Sequence, residues 1–291
     1  MRLNLFRVAL ALLFLFTTSG VRAESSVWVV KSSKANIYLA GSFHMLRASD
    51  YPLPAEFFTA YKNSGKIIFE VQPDEAENPE HMGDLLSGAV YIDGTTLKDH
   101  ISSAAYAKAE KFCKERNYPL EQYQVLKPTM FVMTLTLLET EKIGADPRKG
   151  IDNFFKERAV QDGKATGSLE TMDQQIRLLS SIDASVGSDQ ILESIDELKQ
   201  IEVMLGEYLA AWRKGDEPQM EDLYIKELKR YPQLYQTLIV DRNNQWVRNM
   251  ESYLNGSGNT MVIVGAAHLV GPDGLVNLLR KRGYKVVKLQ K

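Results

Sequence analysis

Two apolar segments that lie far apart in this sequence each run directly into the pattern Gly-x-x-His. The segment NIYLA is followed by Gly41–His44 (GSFH), and the segment TMVIV is followed by Gly265–His268 (GAAH). Nineteen glycines and four histidines in 291 residues would give fewer than one such match by chance. A glycine directly after a strand lets the backbone turn sharply, so the histidine is presented at the carboxyl end of that strand. Because ligands bind at that edge of α/β sheets, the two motifs predict one polar site.

Strand and helix patterns alternate along the rest of the chain. β-Branched and aromatic residues predict strands, and apolar residues at three- and four-residue spacing predict helices. The predicted strands are Val27–Lys31, Asn36–Ala40, Lys66–Val71, Ala165–Glu170, Met261–Val264 and Tyr284–Leu289, and the clearest predicted helices are Ala55–Lys62, Asp189–Arg213 and Asp273–Arg282. The strand–helix–strand order at the end of the chain indicates a parallel βαβ unit.

The fold class that follows from this order is α/β, with a central mixed sheet, flanking helices and a large helical insertion at about residues 100–255. The sequence contains no linker rich in Pro, Gly or Ser, so residues 24–291 are expected to form a single domain.

The first 23 residues have the composition of an export signal. Arg2 and Arg7 accompany the apolar run Val8–Phe16, and Val21–Ala23 supplies small residues at a cleavage position. The apolar run is far shorter than the roughly 20 residues that a membrane-spanning helix needs. We therefore expect an exported chain, periplasmic or secreted, with no membrane span after signal cleavage.

Composition excludes one class of partner and one kind of cross-link. The formal net charge is −2, so the chain lacks the basic balance that nucleic acids attract, and no nucleic-acid partner is expected. With 44% hydrophobic residues the chain can bury a sizeable core. The sole cysteine, Cys113, has no partner for an intrachain disulfide and is expected to be a buried hydrophobe in a helix.

Two glutamates stand in predicted strands, one inside a strand and one at a strand end. Glu70 lies inside KIIFEV, whose other residues are mostly apolar, so its carboxylate must be hydrogen-bonded, ion-paired, protonated or bound to a cation. Glu170 ends the short strand pattern GSLE and poses the same problem, with a helix-cap role as its alternative. The remaining histidines, His81 and His100, have polar, loop-like surroundings and are left out of the predicted site.

Several short motifs can be read along the chain. They are GSFH (41–44), Glu70, LKP (126–128), GID (150–152), LET (169–171), RN (242–243) and GAAHLVGPDGLVNLLRKRGYKV (265–286). Together they resemble the TraB/PrgY/GumN family, which includes the TIKI metalloproteases. The resemblance implies a fold like that of erythromycin esterase and the haem-binding protein ChaN. It also assigns the functional site to His44, Glu70 and His268, with Glu170 and Arg242 carried by shorter motifs.

The residues and the resemblance together predict a metal-dependent hydrolase, protease- or peptidase-like, acting on a peptide or small-molecule substrate. His44, His268 and Glu70 are the predicted ligands of a divalent metal ion, namely zinc, manganese or cobalt, with a position left open for water. Such an ion lowers the pKa of its water to about 7. Glu70 or Glu170 would act as general base, and Arg242 would hold a carboxylate or stabilise the developing oxyanion.

Three alternatives stay open at this point. A ligand-binding protein without catalysis could use the same edge of the sheet to hold haem, with a histidine as axial ligand. A metal-free esterase could use a histidine as base directly on water. A protein–protein interaction role would depend on the long helices of the insertion and would leave both Gly-x-x-His histidines without a functional part.

Overall fold

The structure is a computed structural model that describes residues 25–290 except residues 73, 76–77 and 184–187. The predicted export signal lies outside these residues. The first two predicted strands form a hairpin of strand β1 (Val27–Lys31) and strand β2 (Asn36–Ser42), which pair antiparallel with Val27 opposite Ala40.

Six of the strands in the described part of the chain form one mixed sheet. After β1 and β2, the strands in chain order are β3 (Leu46–Arg47), β4 (Lys66–Phe69), β5 (Ala145–Asp146), β6 (Ala165–Ser168), β7 (Thr260–Gly265) and β8 (Lys285–Lys288). The order across the large sheet is β6-β4-β7-β2-β1-β8, and β3 pairs with β5 in a separate two-stranded ladder. This arrangement confirms the predicted α/β class with a central mixed sheet.

The four strands β6, β4, β7 and β2 run parallel to one another. Their carboxyl ends therefore meet at one edge of the sheet. The register places Ser42 of β2 beside Gly265 of β7, and Phe69 of β4 beside Ser168 of β6. The residues that follow these four strands are brought to this edge by the topology alone.

Strand β8 pairs antiparallel with β1, which itself pairs antiparallel with β2. Strands β7 and β8 consequently run in the same direction, as the βαβ pattern predicts. They are not hydrogen-bonded neighbours, because β2 and β1 lie between them.

Helices flank the sheet and make up most of the segment between β4 and β7. The α-helices in the described residues are Ala55–Lys62, Pro79–Ala89, Leu97–His100, Ser103–Arg116, Leu120–Tyr123, Pro128–Lys142, Ile151–Gln161, Met172–Asp183, Ser188–Leu198, Ile201–Lys214, Glu217–Glu221, Pro232–Tyr235, Arg242–Asn255 and Leu275–Lys281. The region predicted as a helical insertion, residues 100–255, is thus mainly helical, but it also supplies β6 to the edge of the central sheet. None of the described helices is long and apolar enough to cross a membrane.

Two hydrophobic clusters stabilise this arrangement. The larger cluster surrounds the sheet and contains Trp28, Trp212 and Trp246, all fully buried. The smaller cluster joins the helices Ser103–Arg116, Pro128–Lys142 and Ser188–Leu198. Cys113 lies in this second cluster with 1% exposure, which confirms the prediction of a buried cysteine. Burial raises the pKa of its thiol to about 11, so the reactive thiolate is disfavoured.

The prediction of one continuous helix over Asp189–Arg213 is wrong. The chain forms the helices Ser188–Leu198 and Ile201–Lys214, separated by a turn in which the Gln200 amide donates to the Glu197 carbonyl at 2.8 Å. The apolar spacing continues through the turn, so the pattern alone does not reveal the break. The physical reason is that the first helix packs into the smaller cluster and the second into the larger one.

Candidate active site

The residues that follow the four parallel strands are chemically reactive ones. His44 follows β2, Glu70 follows β4, Glu170 follows β6 and His268 follows β7. His44, Glu70 and His268, together with Arg242, line one cavity of about 590 Å3 at this edge of the sheet. Glu170 is not among the residues that line it. The structure therefore places four of the five predicted site residues at the cavity, with the fifth behind them.

The guanidinium of Arg242 lies at the centre of this group. Its Nη2 donates to Glu70 Oε2 at 2.5 Å and to Glu170 Oε1 at 2.8 Å, and its Nε donates to Glu170 Oε2 at 3.2 Å. Its Nη1 lies 3.0 Å from His268 Nε2 and 3.4 Å from the Leu238 carbonyl oxygen. An arginine has five N–H groups, so these contacts account for the whole donor set.

Burial makes these charge pairs strong determinants of the local structure. The side chains of Arg242, Glu70 and Glu170 are only 14%, 11% and 5% exposed. Trp246, one turn further along the helix Arg242–Asn255, donates from Nε1 to Glu170 Oε2 at 3.1 Å and lies beneath the guanidinium, 4.5 Å from ring centroid to Cζ. Arg242 thus holds two carboxylates, which is one of the two roles predicted for it.

The carboxylate of Glu70 is fixed from two sides. Arg242 donates a hydrogen bond to Oε2, and the backbone N–H of Gly265 donates one to Oε1 at 2.7 Å. A Cβ atom at position 265 would lie 3.3 Å from Oε1, so the glycine that ends β7 allows this close approach. Burial raises the pKa of Glu70, but the opposing influence of His268, Arg242 and His44 is larger and lowers it to about 2. Glu70 is therefore an anion at every physiological pH.

The tautomer of His268 follows from its neighbour Asn243. The Asn243 side-chain amide donates to two carbonyl oxygens, those of His268 at 3.2 Å and Asp273 at 2.8 Å, so its Oδ1 must face the imidazole. The distance from Oδ1 to His268 Nδ1 is 2.7 Å. Because Oδ1 only accepts, Nδ1 carries the proton and Nε2 presents its lone pair to Arg242. Burial, the largest influence, lowers the pKa of His268 to about 3, so this ring is neutral.

His44 has the opposite character. Its side chain is 69% exposed, and its Nδ1 lies 3.0 Å from Asp152 Oδ2. Attraction to Asp152 is the largest of the influences that raise its pKa to about 9, although solvent weakens such a pair. His44 is consequently the cationic, accessible histidine of the cavity, and His268 is the neutral, buried one.

Asp152 reaches His44 because the helix Ile151–Gln161 begins against the His44 backbone. The Ile151 amide donates to the Phe43 carbonyl at 3.0 Å. A Cβ atom on Gly150 would lie 2.3 Å from the His44 carbonyl oxygen, so only glycine permits this approach. The motif GID (150–152) therefore has a structural meaning: its glycine docks the helix and its aspartate pairs with His44.

Asp152 and Asn243 are site residues that reasoning from the sequence missed. Both lie in the motifs GID (150–152) and RN (242–243), of which the sequence assigns only Arg242 to the site. His81 and His100, which were left out, do not line the cavity: His81 contacts Glu75 and His100 stacks on Tyr91.

The arrangement departs from the predicted three-ligand metal site. Within the described residues, no group of three or more His, Cys, Asp or Glu is positioned to hold a metal ion. Glu70 Oε1 and His268 Nε2 are 3.9 Å apart, but both residues also bond the Arg242 guanidinium, and His44 bonds Asp152 instead. In this geometry Glu70 and His268 contact the guanidinium of Arg242, and His44 does not.

The low pKa of His268 predicts a loss of stability in acid. Its pKa is lowered from 6.5 to about 3, so below pH 6.5 the unfolded chain binds a proton there that the folded protein does not bind. The free energy of unfolding should therefore fall as pH falls toward 3, by up to about 1.4 kcal/mol per pH unit. Glu70 adds a further loss between pH 4.5 and about 2, since its pKa is lowered over that interval.

Urea unfolding at a series of pH values measures this effect. His268→Gln removes the titrating group, so the variant should lose less stability than the wild type between pH 6 and pH 4. His100→Gln, at an exposed histidine outside the cavity, should follow the wild-type slope. Equal slopes for the wild type and His268→Gln would contradict a buried neutral His268.

Comparison with known proteins identifies one family and distant relatives of this chain. Residues 26–288 match the model of the TraB/PrgY/gumN family. The uncharacterized protein YbaP of Escherichia coli (strain K12) is 22% identical, over 90% of this chain and 96% of that protein. The metalloprotease TIKI2 of Danio rerio is 20% identical, over 90% of this chain but 60% of TIKI2. No solved structure matches the chain.

Proposed function

We propose that this chain, which belongs to the TraB/PrgY/gumN family, is a hydrolase that cleaves an amide or ester bond of a peptide or small-molecule substrate in the cavity at the carboxyl edge of the sheet. The observation that carries the proposal is the convergence of an exposed, Asp152-paired His44 and a buried, ionised Glu70 on one cavity. Perturbed acid–base groups gathered in a cleft are typical of catalytic sites. The distant relationship to a protein named as a metalloprotease favours the same class of reaction.

His44 is suited to act as the acid. Its Nδ1 is engaged with Asp152, and its raised pKa keeps the ring protonated at neutral pH. The Nε2–H is then available for the carbonyl oxygen of a substrate or for the leaving group. As the carbon–leaving-group bond breaks, the proton on Nε2 passes to the departing nitrogen or oxygen.

Glu70 is suited to orient the attacking water. Each carboxylate oxygen accepts two hydrogen bonds, and Gly265 and Arg242 use one on each oxygen, so acceptor capacity is left. The low pKa of Glu70 makes it a weak base for free water. The proton of the water becomes far more acidic once its oxygen bonds to the carbonyl carbon, and that proton then passes to Glu70.

Arg242, Glu170 and His268 have positioning roles in this scheme. All the N–H groups of Arg242 are used within the protein, so its second predicted role, direct stabilisation of an oxyanion, is not part of the proposal. Glu170 lies behind Arg242 and holds it by two hydrogen bonds, so we assign the general-base role to Glu70 alone.

A divalent metal ion stays a prediction that rests on the resemblance and on the name of TIKI2. No step above uses it, because the side chains in this geometry do not form a ligand set. We also propose export through the first 23 residues, to the periplasm or the cell exterior, and an arrangement of helices like that of erythromycin esterase and ChaN.

The proposal is tested by incubating the purified chain with a panel of peptides and esters and following cleavage by mass spectrometry. The expected result is cleavage that is strongly reduced in His44→Gln and persists in His100→Gln. Each arm is repeated after exhaustive chelation and after addition of zinc, manganese or cobalt, which tests the metal prediction separately. Absence of cleavage in every arm, together with an absorption band on haem addition, would contradict the hydrolase and favour the ligand-binding alternative.

A further inference from the structure

One wall of the cavity is acidic. The side chains of Glu193, Glu197 and Glu227 line it, together with Arg230. Arg230 is already engaged: its Nη1 lies 2.8 Å from Glu227 Oε2 and its Nη2 lies 3.4 Å from Glu193 Oε1. Glu193 also accepts a hydrogen bond from the hydroxyl of Tyr231.

Glu197 differs from the other two glutamates. Among the described residues, its carboxylate has no hydrogen bond and no ion pair. Glu197 is exposed overall. Desolvation on its cavity side and then the charges of Glu193 and Glu227 raise its pKa, and Arg230 acts in the opposite direction. A carboxylate in these surroundings would be stabilised by a cation from outside the chain.

Aromatic rings surround the space next to this wall. Tyr208 and Tyr224 lie edge to face at 5.1 Å between ring centroids, and Phe43 meets Tyr224 in the same way at 6.1 Å. All three line the cavity. Aromatic faces attract apolar groups and also ammonium groups, through cation–π interaction. The wall therefore offers carboxylates to a cationic amine and aromatic rings to an apolar group attached to it.

Ser42 gives an independent indication that the cavity takes a ligand. Ser42 lines the cavity and is 3% exposed, and its Oγ has no hydrogen-bond partner among the described residues. A buried hydroxyl left without a partner is unfavourable, so native proteins rarely keep one without a functional reason. A substrate carbonyl or amide that enters beside β2 would provide the partner after a simple rotation of the serine side chain.

We propose that the cavity selects substrates in which a cationic amine stands next to an apolar or aromatic group, with the amine at Glu197 and a polar group of the acyl portion at Ser42. A peptide offers such an amine at its free amino terminus or on a basic side chain. A cavity of about 590 Å3 is large enough for one or two amino-acid residues. Cleavage of these ligands rests on the proposed hydrolase function, whereas their selective binding does not.

Calorimetric binding of small probes tests the selectivity. The probes are L-phenylalaninamide, its neutral N-acetyl derivative and Nα-acetyl-L-lysinamide, so that the α-amine and side-chain amine are distinguished. At least one of the two amines is expected to bind about tenfold more tightly than the neutral amide. Glu197→Gln should abolish that preference, and Glu202→Gln, at an exposed glutamate outside the cavity, should keep it. Equal binding of all three probes would overturn the proposal.

Ser42→Ala has two expected effects of opposite sign. Binding of the preferred amide should weaken by about two- to tenfold, because a hydrogen bond to the ligand is lost. The melting temperature of the free protein should stay the same or rise by about 2–4 °C, because the unpartnered hydroxyl is removed. A fall in melting temperature with unchanged binding would show that Ser42 is structural and overturn its assignment.

The outcomes separate this proposal from the hydrolase. A chain that binds the amine probes selectively but cleaves no bond would contradict the proposed hydrolase and support the selectivity. A chain that cleaves only neutral or acidic substrates would support the hydrolase and overturn the selectivity.

Discussion

Replacing Arg242 with methionine is expected to lower the free energy of unfolding by about 3–5 kcal/mol. The substitution leaves Glu70 and Glu170 buried without the cation that both of them bond. An ionised carboxylate without a partner is strongly unfavourable in the protein interior, so the structure must admit water, protonate a carboxylate or rearrange. Methionine has a similar length and an unbranched chain, so the packing against Trp246 changes less than the charge does.

Urea denaturation at pH 7 measures this loss, and two further variants test its origin. Arg148→Met removes an arginine that is 88% exposed and paired to Asp146, so it should change stability by less than about 1 kcal/mol. The triple variant Glu70→Gln, Glu170→Gln, Arg242→Met removes all three charges and should recover much of the loss, because no unpaired charge remains. A loss for Arg242→Met no larger than that for Arg148→Met would contradict the buried charge cluster.

The convergence of His44, Glu70 and His268 could be predicted because it depends mainly on strand order and direction. Each follows a strand, and parallel strands of one sheet end at the same edge. The burial of Glu70 was also evident, since a charged residue among apolar ones in a short strand has nowhere else to go. Strand order and a charged residue inside an apolar strand are informative because few folds are compatible with them.

Local sequence patterns could not predict that Arg242 lies at the centre of the site, because Arg242 is on a helix; only the family resemblance assigned it to the site. The segment around it is polar, and an arginine there is most simply read as exposed to solvent. Its direction depends on how the helix Arg242–Asn255 packs through Trp246 and Val247, which are fully buried in the larger cluster. Packing between elements that are distant in sequence leaves no periodic trace, so the contacts of the Arg242 guanidinium with Glu70, Glu170 and His268 were not foreseeable.

The contact between Asp152 and His44 has a similar explanation. It requires the helix Ile151–Gln161 to begin within contact distance of the His44 backbone, and Gly150 makes that approach possible. A glycine before a helix is common, and the sequence alone gives no indication of which backbone it approaches.

His44→Gln is expected to reduce the rate of hydrolysis by about 10²–10⁴-fold, the usual contribution of a general acid. Glutamine retains a hydrogen-bond donor of similar size but cannot transfer a proton. Because the His44 side chain is 69% exposed and solvent weakens its pair with Asp152, the variant should fold and lose much less stability than Arg242→Met. A large loss of activity with a small loss of stability would distinguish this chemical role from the structural role of Arg242.

Asp152→Asn tests the same role through its pH dependence. In the wild type the protonated ring is the active form, so activity should fall as pH rises through the pKa of His44, about 9. Removing the Asp152 charge lowers that pKa toward its ordinary value of about 6.5, and the falling limb should move down by at least one pH unit. Asp162→Asn makes the same charge change at the other end of the helix, where Asp162 bonds Tyr61, and should leave the limb in place.

Within each variant, the pKa from the rate profile should equal the pKa from an NMR titration of the His44 ring. Activity that rises instead of falling through this pKa would mean that the neutral ring is the active form, so His44 would be the base and Glu70 would lose that role. A limb that Asp152→Asn does not move would mean that the His44–Asp152 pair does not set the protonation state used in the reaction.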